Sequence, residues 1–184
     1  MAYRNGTYIA FHAEGTSDPT ASDIKYYNLL KGWTAKKDDD FSLINSHEKT
    51  AAVRDTSKRE TLRARLKTRL RNSKHLLLII GKTTKNDRDW VPFEIRYAVD
   101  TCDIPIIAAY VDYEYILNPQ SHEDEWPAAL KKRINDESAR VIHIPFKKKP
   151  IKAAIDAYDM NNKPKGSLTY YTRETYIKWG IIQK

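Results

Sequence analysis

Short apolar runs alternate with amphipathic stretches along the chain. "TYIAFH" (7–12) reads as a strand, and "TASDIKYYNLLKGW" (20–33) as a helix with Ile24, Tyr27, Leu30 and Trp33 on one face. "FSLINS" (41–46) is a second, shorter strand. "KRETLRARLKTRLRN" (58–72) is a helix with Leu62, Leu66 and Leu70 at four-residue spacing. "HLLLIIG" (75–81) is apolar at both parities, as a strand covered on both faces must be. The rhythm continues with a helix at 89–102, a strand at 104–111, a helix at 123–136, a strand at 139–146 and a helix at 148–162.

Strands that alternate with helices imply an α/β domain built on a parallel sheet with helices on both faces. Five strands suggest the flavodoxin-like order 2-1-3-4-5. That order leaves a crevice at the carboxyl ends of strands 1 and 3, where the chain departs in opposite directions. "HAEGTSDP" (12–19) and "GKTTKNDRD" (81–89) border it. The domain spans 1–162, and 163–184 is a C-terminal extension packed on it. In that tail, "SLTYYTRETYIKWG" is rich in aromatic residues. It suits an extra strand or hairpin docked on the domain, or a surface that recognises a partner.

At 184 residues one domain accounts for the chain, and its single cysteine, Cys102, excludes an internal disulfide framework. No apolar stretch approaches the length of a membrane span, and no signal peptide is visible. A cytoplasmic protein without membrane contact is expected. The formal net charge of +8 favours anionic partners, and much of it lies in 57–75, where eight Lys/Arg face one Glu. Arg63, Arg65, Lys67, Arg69 and Arg71 wind around that helix without aromatic interleaving. A solvated or partner-binding face is therefore expected, and a nucleic acid is not.

"RDWVPFEIRY" (88–97) joins several signals. Asp89 suits an N-cap, and Pro92 falls in the first turn, where its missing N–H costs nothing. Trp90 and Glu94 are then i and i+4 on one face of the helix that borders the crevice. That pairing suits a carboxylate in an aromatic-rimmed pocket. It also suits a core tryptophan beside a glutamate that answers the helix dipole. His12, at the end of strand 1, fits either a substrate contact or a polar cap on the sheet. His143, inside "RVIHIPF", reads as a buried, hydrogen-bonded histidine. The histidines and the cysteine have no metal-ligand spacing, so no metal is expected. "GKTTKN" lacks the glycine spacing of a Walker loop.

"YIAFHAEGTSD", "SKHLLLIIGKTTKNDRDWVPFEI" and "IPIIAAYV" together resemble TIR domains, in particular the divergent TIR-like proteins of bacterial antiphage Thoeris systems. The resemblance covers about residues 5–146. It implies a TIR fold and cleavage of NAD, with NAD as substrate and no bound cofactor. The W-x-x-x-E pair carries over to Trp90 and Glu94, with Glu94 as the catalytic residue. Phe11 and His12 match the strand end that lines the nucleotide pocket. Ser46 stands where the second strand meets the loop "SHEKTAAVRD", which takes the place of the loop that shapes the pocket and mediates TIR–TIR contacts. Thr83 and Thr84, with Lys85, are candidate contacts to the pyrophosphate.

A single acid suits this chemistry. Nicotinamide leaves as a neutral base from a cationic pyridinium, so no general acid is required, unlike in ordinary glycosidases. The carboxylate need only stabilise an oxocarbenium-like ribose. The expected protein is an NAD glycohydrolase, an ADP-ribosyl cyclase or an ADP-ribose-transferring enzyme. It would answer a phage-derived trigger, self-associate through TIR–TIR contacts and signal through a nucleotide to a separate effector. The alternative is a TIR-like adaptor without turnover.

Overall fold

A computed structural model describes residues 4, 6–14, 22–34, 43–44 and 56–183, with the backbone alone for 34, 43–44 and 56–58. The strands are β1 (Gly6–Ala10), β2 (Leu43–Ile44), β3 (Ser73–Ile80), β4 (Ile106–Tyr110), β5 (Val141–Pro145) and β6 (Thr169–Tyr170). They form one sheet in the order β2-β1-β3-β4-β5-β6, with every pairing parallel. The expected 2-1-3-4-5 order is present, so the crevice position falls between β1 and β3. The expected count of five is one short, because the tail adds β6 beside β5.

The helices are α1 (Ile24–Thr34), α2 (Thr56–Arg71), α3 (Trp90–Arg96), α4 (Ala128–Asn135), α5 (Lys148–Ala157) and α6 (Arg173–Lys178). α3 continues into a π-helical turn over Tyr97–Thr101. The helix expected at 20–33 starts only at Ile24, after a turn at Ser22 and Asp23, and two others are shorter than their patterns. The one expected at 123–136 is split: a 3-10 turn ends at Glu125, Trp126 is extended (ψ 134°), and α4 starts after Pro127. Proline disfavours helical backbone at the residue before it, which forces the break. The helix expected at 148–162 stops at Ala157, because the Asp159 carboxylate takes the N–H groups of Asn161 and Asn162 into a turn.

Strand alternation divides the core into two layers. Ile9, Phe11, Leu77, Ile79, Ile107 and Ile142 face α1 and α5, packing with Ile24, Tyr27, Leu30, Ile151 and Ile155. Tyr8, Ala10, Leu76, Leu78, Ile106, Ala108 and Tyr110 face the other side, against Leu62, Leu66 and Leu70 of α2, Val91 and Ile95 of α3, and Leu130 of α4. The three α2 leucines are buried as their spacing predicts. The tail contributes Tyr176, fully buried, with its hydroxyl 3.4 Å from the Ile116 carbonyl. Among the described residues, no helix is long and apolar enough to cross a membrane.

Candidate active site

The loop after β3 is anchored before it reaches α3. Thr84 is fully buried; its hydroxyl accepts the Gly81 N–H (2.8 Å) and donates to Asp23 (2.8 Å). A side chain at position 81 would collide with that carboxylate, since a Cβ there would lie 2.1 Å from Asp23 Oδ1. Burial raises the Asp23 pKa, and the bond from Thr84 works against that rise. On the other side of the crevice, Asp23 N–H donates to the His12 carbonyl (3.3 Å), and His12 Nδ1 lies 3.3 Å from Thr83 Oγ1. His12 and Thr83 are thus brought together at the ends of β1 and β3, both half-buried.

Two of the predicted residues, Thr84 and Phe11, are turned away from the crevice. Thr84 spends its hydroxyl inside the protein instead of offering it to the crevice. Phe11 points to the α1 layer and stacks on Tyr27, with ring centroids 5.1 Å apart. Residue 11 shares the parity of Ile9, so the pleat sends it to the face opposite Tyr8. Ser46 and the loop at 46–55 lie outside the described residues.

α3 is capped by an acid two residues before the expected one. Asp89 makes no side-chain cap bond. Asp87 instead accepts the N–H groups of Asp89 (2.8 Å), Trp90 (3.0 Å) and Val91 (3.3 Å). Asp89 is left to pair with Arg59 and Arg63 of α2.

Those arginines account for Trp90. Arg59 and Arg63 lie over its ring at 5.6 and 5.9 Å from the centroid, and Arg63 also covers Phe93 at 5.5 Å. One turn further, Lys67 and Arg71 both sit 5.6 Å from the Tyr97 ring. The basic side of α2 is therefore packed on an aromatic stripe of α3 through cation–π contacts. It is not a purely solvated face, and Trp90 is turned towards α2.

Glu94, one turn on, points inward. It is fully buried, and its Oε1 accepts the Tyr8 hydroxyl of β1 at 2.5 Å. Burial, then the charge of Glu94 and its hydrogen bond, raise the Tyr8 pKa well above the usual phenol value; the charge of Arg69 works in the opposite direction. Tyr8 therefore stays protonated and donates to the carboxylate. A buried tyrosine needs a partner for its hydroxyl, so "TYIA" held a signal for this contact that reading Tyr8 as part of an apolar run passes over. Phe11 and Glu94 stand on opposite faces of the sheet, so the two do not line one pocket.

Histidine 143 is a core residue, between the Tyr110 hydroxyl (2.8 Å) and the Ser167 carbonyl (2.9 Å). Burial lowers its pKa to about 4. Among the described residues, no group of three or more His, Cys, Asp or Glu is placed to hold a metal ion.

The geometry provides a sequestered carboxylate beside a phenol on one face of a parallel sheet, and a polar rim of His12 and Thr83 at the switch point. The family model described as the TIR-like domain of Thoeris protein ThsB matches residues 8–116. The match takes in β1 from Tyr8 onward, the whole loop after β3, α3 with Trp90 and Glu94, and β4. It covers more than half of the chain, and with this fold beneath it the protein belongs to the Thoeris ThsB TIR-like family of antiphage defence.

Proposed function

We propose that this protein cleaves NAD, with Glu94 as the catalytic carboxylate, and produces an ADP-ribose-derived nucleotide that activates a separate effector. The observation that carries the reading is the buried pairing of Glu94 with Tyr8. A carboxylate kept away from water acts strongly on a developing cation, because the low-dielectric surroundings do not screen it. As C–N cleavage proceeds, the pyridinium leaves as neutral nicotinamide and positive charge moves to the ribose C1′ and ring oxygen. Glu94 stabilises that charge and accepts hydrogen bonds from the ribose hydroxyls. Tyr8 acts through Glu94 as a positioning residue, fixing the carboxylate rotamer. His12 and Thr83 are proposed contacts for the rest of the nucleotide at the rim.

Glu94 reaches no solvent, so turnover requires the packing over it to open. A phage-derived trigger that opens it would switch on an enzyme that is otherwise silent. The same burial favours the second reading, a TIR-like adaptor in which Glu94 and Tyr8 only hold the fold. Incubation with NAD, with and without lysate from phage-infected cells, followed by mass spectrometry of the nucleotides, separates the two. The enzyme releases nicotinamide and an ADP-ribose product when the lysate is present. An adaptor leaves NAD intact in both arms.

A further inference from the structure

We propose that the cleft between α3 and α4 binds a compact polyphosphate, the diphosphate or triphosphate group of a free nucleotide. The cleft is about 400 Å³ and lies on the opposite side of α3 from Glu94. That size falls in the range of about 300–1,000 Å³ typical of small-molecule sites.

Its charge is unbalanced. Lys85, Arg88 and Arg96 line it, all exposed, and no carboxylate among the described residues pairs with them. The other two cations at its wall are already neutralised, Arg133 by Asp100 and Lys132 by Asp136. The single acid in the lining among the described residues, Asp87, is turned to three backbone N–H groups at the start of α3. Two guanidiniums and an ammonium around one small cleft therefore wait for an external anion. Guanidinium forks match phosphate oxygens in pairs, so two arginines suit adjacent phosphates.

The occupant is a free polyphosphate and not a nucleic-acid strand. Single-strand sites combine an extended basic groove with aromatic platforms for the bases. Among the described residues no aromatic side chain lines this cleft, and its apolar lining is Pro92, Ala128 and Ala129. This site rests on no property of Glu94, so it stands whether or not NAD is turned over.

The test is calorimetric titration of the whole chain with inorganic pyrophosphate at low salt. Wild type should show saturable binding to one site. Arg88→Gln/Arg96→Gln should weaken it on the order of tenfold or more. Lys165→Gln/Arg173→Gln, which removes the same charge from exposed positions elsewhere, should bind as wild type does. Circular dichroism confirms that both double variants are folded. The proposal is overturned by wild type that does not bind pyrophosphate, or by equal loss in both double variants. Oligothymidylate that displaces pyrophosphate with the steep salt dependence of many phosphate contacts would also overturn it, making the face a nucleic-acid surface.

Discussion

The two faces of the sheet are equally dry but differently furnished. On the α1/α5 side, the middle of the sheet is aliphatic: Ile9, Leu77, Ile79, Ile107 and Ile142 meet apolar helix faces. On the α2/α3/α4 side, the same strands present Tyr8 to Glu94 and Tyr110 to His143, with the Trp126 indole donating to the Tyr110 hydroxyl at 2.7 Å. The first face contributes stability through area and close packing. The second gives up part of that gain to keep polar groups fixed in a medium where each has a strong effect. Function in this fold is therefore expected on the side where burial is less economical.

The largest effect of a single substitution that probes this contrast is a cavity in the aliphatic face. Ile107→Ala should cost about 3 kcal/mol with nothing to refill the space, read from urea unfolding. A cost below about 1 kcal/mol would mean that this face is not the tightly packed one.

Acid should reach both faces, each through one histidine. His75 lies between Thr7 and the Tyr158 carbonyl on the α5 side, and His143 sits on the other; burial lowers both pKa values to about 4. Each histidine is neutral when folded and charges at about 6.5 when unfolded, so its stabilising effect is complete above pH 6.5 and is lost as pH falls towards 4. At pH 5 the loss is about 2 kcal/mol per histidine. Unfolding free energies at pH 7 and pH 5 should differ accordingly, and His143→Gln should reduce the difference. A flat profile over that window would contradict the burial of both rings.

The α2–α3 seam gives a smaller effect. Trp90→Leu keeps an apolar side chain but removes the aromatic ring beneath Arg59 and Arg63, while their pairing with Asp89 remains, and should cost about 1 kcal/mol. An unchanged melting temperature would return Trp90 to the crevice that its motif suggests.

Much of this was legible in the sequence. The runs at 75–81 and 104–111 define buried parallel strands, and the leucines of α2 lie inward where their spacing puts them. The strand order followed from the alternation of strands and helices. What stayed hidden depends on tertiary neighbours. Asp87 and Asp89 both stand at capping distance, and only the turn geometry selects Asp87. The i, i+4 spacing puts Trp90 and Glu94 on related sides of a helix without saying that α2 lies over one and β1 over the other. The α2 cations read as solvated because their aromatic partners lie about thirty residues away, on another helix. The tail suits an extra strand, but the two residues of β6 are too few for a period to show where in the tail it lies.

The central claim is that the Glu94 charge drives turnover. The direct measurement is product formation from NAD by wild type and Glu94→Gln, in the presence of lysate from infected cells, alongside their melting temperatures. Glutamine retains an oxygen that accepts the Tyr8 hydroxyl, and burying a neutral amide costs less than burying a carboxylate, so the melting temperature should move little. Product formation should fall by orders of magnitude, because the lost charge acts mainly on the cationic transition state. Equal product from both proteins would contradict the account, and a large drop in melting temperature would make Glu94 a structural acid.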